Sequence, residues 1–151
     1  MRKEVVIIIA EDDIGHFVLT KRYFRSLGLC NEIMRLADGQ EVLDFFYTES
    51  GSPRMDPGKQ YVLMLDIRMP GIDGVEVLET IRGDGKIKNL PVIMLTTTDN
   101  SHEIERCYKL GCTAYIVKPV KYSTYIDAMR KVGLYPSMVQ DGVRLISKCP
   151  A

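Results

Sequence analysis

The sequence has no surplus of either charge. Its 20 lysines and arginines face 20 aspartates and glutamates, for a formal net charge of zero. Without a basic excess there is no electrostatic footprint for nucleic acid, and no polybasic run marks a membrane surface. Long apolar stretches are missing too. The longest, Val5 to Ala10, is far too short to cross a bilayer. It ends at Glu11, before the longer apolar region and small-residue cleavage site of a signal peptide are reached. Histidine is scarce, with only His16 and His102, and none of Cys30, Cys107, Cys112 and Cys149 forms a C-x-x-C pair. A structural zinc site is therefore disfavoured, and the four cysteines read as free thiols of a reducing compartment. The chain is expected to be cytoplasmic.

What is present suits one globular domain. A chain of 151 residues with 46% hydrophobic content can bury a single core. Four uninterrupted apolar runs stand out: Val5 to Ala10, Tyr61 to Leu65, Val92 to Leu95 and Ala114 to Val117. Such runs suit strands covered on both faces, as in a parallel sheet. Glu32 to Leu36 alternates more and reads as an edge strand.

Between the runs lie segments with helical spacing. Phe17, Thr20, Phe24 and Leu27 share one helix face, which Gly28 ends. Val42, Phe45, Phe46 and Glu49 mark a second helix entered through Asp38-Gly39. Val77, Leu78 and Ile81 mark a third, with Asp73 and Glu76 spaced as a capping box. Asp99 is the expected cap of a fourth helix carrying Ile104, Cys107 and Tyr108, stopped by Gly111. Tyr122, Tyr125, Ile126 and Met129 mark a fifth, stopped near Gly133. Five β-α units in succession imply a doubly wound α/β fold with helices on both faces. Thr48 to Gln60, rich in glycine and proline, reads as a long connecting loop. Residues 134–151 form an extension too apolar for plain disorder, expected to pack on the domain or on a partner.

In a doubly wound sheet the functional site lies at the carboxyl ends of the strands. Polar residues collect there. Glu11, Asp12 and Asp13 follow the first strand, Asp66 the third, Thr96, Thr97 and Thr98 the fourth, and Lys118 the fifth. Clustered carboxylates repel one another, and a magnesium ion, which takes hard oxygen ligands and keeps open positions, relieves that strain. A carboxylate beside it can serve as nucleophile toward phosphorus. Lys118 and Thr96 could each serve a phosphoryl oxygen. Taken singly these residues say little: Asp12 or Asp13 could merely cap the first helix, Lys118 is most simply a solvated lysine, and Tyr115 a packing residue of the sheet. His16 reads as a residue on the flank of the first helix.

Four segments together resemble the response-regulator receiver family: Ile9-Ala10-Glu11-Asp12-Asp13; Leu65-Asp66-Ile67-Arg68-Met69-Pro70-Gly71-Ile72-Asp73-Gly74; Pro91-Val92-Ile93-Met94-Leu95-Thr96-Thr97; and Tyr115-Ile116-Val117-Lys118-Pro119. The resemblance covers roughly residues 4–133. It implies a flavodoxin-like five-stranded parallel sheet of order 2-1-3-4-5, and a receiver unit over residues 1–133. It implies that Asp66 is the phosphoacceptor. Asp12 and Asp66 would ligate magnesium directly, Glu11 through water, and Arg68 through its backbone carbonyl. Asp13 is then the helix cap. Thr96 would be the switch hydroxyl, Tyr115 the switch aromatic and Lys118 the cation on a phosphoryl oxygen, followed by a cis bond to Pro119.

There are departures. Glu11 stands where aspartate is commoner, Thr97 is bulkier than the small residue often found there, and Arg68 and Thr98 occupy positions that tune dephosphorylation. Only 18 residues follow Gly133, too few for a helix-turn-helix reader, so a stand-alone regulator signalling through protein contacts is expected. The Thr48 to Gln60 loop, the Cys107 to Cys112 stretch and Gly133 to Gln140 are similar to single-domain regulators paired with bacterial phytochromes. That likeness implies a histidine kinase, of phytochrome type, or a phosphotransfer protein as donor. It also implies a homodimer through the fourth helix, fifth strand and fifth helix.

Rival chemistries fit less well. Gly51 to Lys59 has the wrong spacing for a P-loop and lacks its serine or threonine. A haloacid-dehalogenase-type phosphatase needs an acid where Arg68 stands. A flavodoxin-like cofactor carrier needs a Ser/Thr/Gly-rich loop where Glu11 to Asp13 stand. A docking module without chemistry would not need the full set of Glu11, Asp12, Asp66, Thr96 and Lys118. Fold alone does not separate these, so the site must.

Overall fold

The structure, a computed structural model, describes residues 4–26, 28–48, 55–85, 87–97, 100–118, 122–132, 139–140 and 143–144. Strands and helices alternate through the main body: β1 (Val5–Ala10), α1 (Ile14–Ser26), β2 (Ile33–Leu36), α2 (Gly39–Tyr47), β3 (Gln60–Asp66), α3 (Gly74–Gly83), β4 (Val92–Thr96), α4 (Ser101–Lys109), β5 (Ala114–Val117) and α5 (Tyr122–Lys131). The five strands form one sheet in the order β2-β1-β3-β4-β5, every pair parallel. This is the flavodoxin-like, doubly wound arrangement expected from the sequence.

Alternate strand residues point to opposite faces, and both faces are covered. Val6, Ile8, Leu63, Leu65, Val92 and Met94 pack with α2, α3 and α4 through Val42, Phe45, Leu78, Ile81 and Cys107. Ile7, Ile9, Val62, Met64, Ile93 and Leu95 pack with Phe24 of α1 and Ala128 of α5. Burial on both faces explains why the central strands read as unbroken apolar runs. Each large side chain buried here contributes about 1.5–3 kcal/mol.

Helix ends follow local chemistry. The Asp38 and Asp73 side chains accept from the backbone N–H groups of Glu41 and Glu76 and start α2 and α3. The cap of α4 is Asn100 rather than the expected Asp99. Its Oδ1 accepts from the N–H groups of His102 at 2.9 Å and Glu103 at 3.2 Å. Helical geometry begins at Ser101, so only the residue directly before it reaches both donors. Gly28 and Gly111 take the positive φ values, 81° and 97°, that stop α1 and α4.

Near β3 the Met55 N–H donates to the Phe45 carbonyl and the Asp56 N–H to the Tyr61 hydroxyl. Val139–Gln140 and Val143–Arg144 pair as a small antiparallel hairpin, β6 and β7, within the extension for which no regular structure was foreseen. Cys107 and Cys112 are buried free thiols. Cys30 departs from the expectation: it is exposed on the turn after α1 and is disulfide-bonded. The reading of a reducing compartment therefore no longer rests on the cysteines. Leu27, Glu49, Thr98, Asp99, Pro119 and Gly133 lie outside the described residues, as do the side chains of Tyr122, Tyr125, Ile126 and Met129. Among the described residues no helix is long and apolar enough to cross a membrane.

Candidate functional site

Parallel register brings the expected site residues to one edge. Ala10 is paired with Leu65, so Glu11 and Asp66 emerge side by side from β1 and β3. Asp66 is paired with Leu95, which puts Thr96 one residue beyond it on β4. Thr96 is paired with Val117, and Lys118 follows. The Lys118 N–H donates to the Thr96 carbonyl at 2.7 Å, extending the ladder to the site's rim.

Glu11 is almost wholly buried, at 3% exposure. Its Oε1 lies 3.1 Å from the Lys118 ammonium and 3.5 Å from His16 Nδ1. His16 is thus on the flank of α1 as read from the sequence, yet it also touches the acidic cluster. The Asp13 Oδ1 accepts from the His16 N–H at 3.0 Å and caps α1, the role assigned to it. That bond from the α1 N-terminus, with the neighbouring His16 charge, holds the Asp13 carboxyl below its ordinary value. Asp12 is exposed at the mouth of the site.

Asp66 is half-buried, and its Oδ1 accepts from the Arg68 N–H at 3.2 Å. Burial, then the hydrogen bond and negative charge of Glu11, push the Asp66 carboxyl up to about 7 against the opposing Lys118 charge. Burial also works to raise Glu11. There the hydrogen bonds with Asp66 and Lys118 and the Lys118 charge outweigh it and hold the carboxyl below its ordinary value. The two carboxyls thus act on each other in opposite senses, Asp66 raised and Glu11 lowered.

One carboxylate oxygen from each of Glu11, Asp12 and Asp66 lies within 4.8 Å of the others. Three hard oxygens at that separation, one of them from the buried Glu11, fit a small divalent cation that keeps part of its water. Thr96 is fully buried at the end of β4. Tyr115 is half-buried on β5 beside Met94. Its hydroxyl is pushed above the ordinary tyrosine value by burial and then by the Glu103 charge, with Arg68 acting the other way. Arg68 and Thr97 are exposed.

Two contributors were missed in the sequence. Gly74, the first residue of α3, packs against the backbone of β3's end: a Cβ there would come within 2.4 Å of the Asp66 carbonyl oxygen. Its place in the Asp73-Gly74 helix start was the available signal. Arg35 donates from Nε to the Glu11 carbonyl at 3.1 Å and from Nη2 to the Asp12 carbonyl at 3.0 Å. A cation near the end of an otherwise apolar edge strand was the clue.

Known proteins share this fold. A receiver domain from Rhodospirillum rubrum is 36% identical and superposes with a TM-score of 0.72 over 89% of this chain and 95% of its own. The bacteriophytochrome response regulator AtBRR is 30% identical, with a TM-score of 0.73 over 93% of this chain and all of its own. Response regulator Rcp1 from Synechocystis is 28% identical over 75% of this chain and 76% of its own length. The structure of its Mn(2+)-bound form gives a TM-score of 0.68, at 25% identity, over 89% of this chain and 96% of that one. Residues 7–130 match the response regulator receiver domain, and the chain belongs to that family.

Proposed function

We propose that this chain is a phosphoryl-accepting response regulator whose acceptor is Asp66. An Asp66 carboxylate oxygen attacks phosphorus and forms an acyl phosphate. The bond from phosphorus to the donor breaks, and the donor leaves with its electron pair, a phosphohistidine donor becoming an imidazole that takes up a proton. The single observation that carries this reading is the carboxylate cluster of Glu11, Asp12 and Asp66, with Lys118 paired to Glu11. Such a cluster costs folding energy unless charge is brought to it.

Asp12 and Asp66 would hold magnesium directly, Glu11 through water and Arg68 through its backbone carbonyl. The Mn(2+)-bound relative Rcp1 supports a divalent site. When bound, the metal neutralises the carboxylates and the equatorial phosphoryl oxygens. Lys118 exchanges its bond to Glu11 for one to a phosphoryl oxygen. The Thr96 hydroxyl turns toward the same group, and Tyr115 follows it inward, altering the α4–β5 surface. Arg68 and the position of Thr98 set the lifetime of the acyl phosphate.

The donor is a sensor histidine kinase, of phytochrome type by likeness to AtBRR, or a phosphotransfer protein. Ile14, Val18 and Leu19 are exposed on α1, in its first turns beyond the acidic loop, and give such a partner an apolar footing. The receiver unit spans residues 1–133. Its output is a protein contact: a homodimer through α4, β5 and α5, with residues 134–151 packing on the domain or on a partner. The protein acts in the cytoplasm and turns over nothing but its own phosphoryl group.

Intact-mass measurement after incubation with acetyl phosphate tests the reading. One added phosphoryl group is expected with magnesium, none after chelation, and none in Asp66→Asn. Equal labelling of the mutant would remove the assignment. Sedimentation with and without a phosphoryl mimic tests the dimer, and a strict monomer in both states would reject it.

A further inference from the structure

The backbone that carries the acidic pair is held from the β2 side by Leu36 and Arg35. Glu11 and Asp12 lie in the short connection between β1 and α1. The Glu11 N–H already bonds the Leu36 carbonyl at 3.0 Å, continuing the pairing of β1 with β2. Arg35, one position back on β2 and in register with Ile9, then spans two successive carbonyls with one guanidinium. The distances are 3.1 Å from Nε to Glu11 and 3.0 Å from Nη2 to Asp12.

A guanidinium presents its donors in a rigid, planar fork. Two bonds from one fork fix the relative orientation of the two peptide groups as well as their position. The consequence differs for the two acids. The Glu11 side chain is also held by Lys118 at 3.1 Å. Asp12 is exposed, so the direction of its carboxylate depends far more on the backbone beneath it. Arg35 also brings positive charge behind the cluster, and charge alone would weaken cation binding. The fork and the charge therefore act in opposite directions, which makes them separable.

We propose that Arg35 is a positioning residue for the divalent cation site: its fork sets the Glu11-Asp12 backbone so that the Asp12 carboxylate converges with those of Glu11 and Asp66. The inference rests on the reading of that cluster as a magnesium site. Groups that orient metal ligands from outside typically change metal affinity by about 10–100-fold, and Arg35→Ala is expected to weaken magnesium binding within that range. Arg35→Lys retains the charge but offers a single ammonium in place of the fork, and is expected to bind magnesium nearly as poorly as the alanine variant.

The experiment measures magnesium affinity by calorimetry for the wild-type chain, Arg35→Ala, Arg35→Lys and Asp66→Asn. It adds labelling rates with acetyl phosphate across magnesium concentrations, and backbone amide exchange at residues 11–13 without metal. Support consists of weakened binding in both Arg35 variants, faster exchange at residues 11–13, and labelling that recovers at saturating magnesium. Unchanged affinity in Arg35→Ala overturns the proposal, and so does wild-type affinity in Arg35→Lys, which would show that a single cationic donor suffices and the fork is not needed. If Arg35→Ala fails to fold, the lysine variant decides alone. A wild-type chain without Asp66-dependent magnesium binding removes the metal-site reading and this inference with it, whereas normal wild-type binding with indifferent variants removes only this inference.

Discussion

Lys118 and Glu11, 107 residues apart in the sequence, meet at 3.1 Å across the carboxyl edge of the sheet. The ammonium is thereby placed beside Asp66, the proposed acceptor, while engaged elsewhere, and its charge opposes the rise in the Asp66 carboxyl. Removing it leaves a nearly buried carboxylate without its cation and an arriving phosphoryl group without a donor. Lys118→Ala is expected to slow labelling by acetyl phosphate about 10²- to 10³-fold, the usual cost of losing one preorganised charge-stabilising group. Stopped-flow or intact-mass kinetics at saturating magnesium would measure it. A rate close to wild type would deny Lys118 this role.

The raised Asp66 carboxyl predicts a pH dependence. Asp66 has an ordinary value of 3.8 and is raised to about 7 in the fold. Between those values the metal-free folded state binds more protons than the unfolded state. Its stability contribution is thus fully present below the unfolded value and is lost as pH rises through about 7. Magnesium competes with the Asp66 proton, so its binding should tighten as pH rises toward about 7 and release a proton below it. Calorimetry in buffers of different ionisation heat reads the release directly. Asp66→Asn should abolish it and flatten the metal-free stability profile between about pH 4 and 7.

Two glycines of α3 make a controlled pair. A Cβ on Gly74 would stand 2.4 Å from the Asp66 carbonyl oxygen and 2.8 Å from the Ile67 Cα, both backbone atoms that cannot step aside cheaply. A Cβ on Gly83 would meet nothing within 4 Å. Gly74→Ala should destabilise the fold by about 1–3 kcal/mol, as overpacking does, and shift the acceptor enough to slow labelling. Gly83→Ala should be neutral or gain up to about 1 kcal/mol from helix propensity. Urea unfolding of the two variants checks the contrast.

The legible part of the fold was the part governed by local pattern. Val5–Ala10 coincides with its apolar run because double-sided burial leaves no polar position inside that strand, and Ala114–Val117, an edge strand, coincides with its run although only Ala114 and Ile116 are fully buried. The acids, Thr96 and Lys118 were legible because parallel register delivers successive strand ends to one edge. Arg35 was not, since its partners Glu11 and Asp12 are 24 and 23 residues away and become neighbours only when β2 pairs with β1. The choice between Asp99 and Asn100 turned on a one-residue boundary, where both side chains carry the same cap chemistry. Asp141-Gly142 between Gln140 and Val143 is a hairpin signal that could have announced β6 and β7. The pairing of Cys30 leaves no trace in cysteine spacing.

Asp12 and Asp13 are adjacent and chemically alike, yet the geometry assigns them separate work, and two single variants should pull it apart. The Asp13 Oδ1 accepts from the His16 N–H at 3.0 Å at the start of α1, whereas an Asp12 oxygen belongs to the cluster with Glu11 and Asp66. Asp13→Ala removes a helix cap and should lower the melting temperature by about 2–8 °C while leaving magnesium affinity close to wild type. Asp12→Ala removes a proposed ligand from an exposed position and should leave stability nearly unchanged. It should weaken magnesium binding by more than the about 10–100-fold that follows loss of an outer partner. Paired denaturation and magnesium titrations separate the two effects. The reverse pattern would exchange the roles of the two aspartates and make Asp13 the ligand.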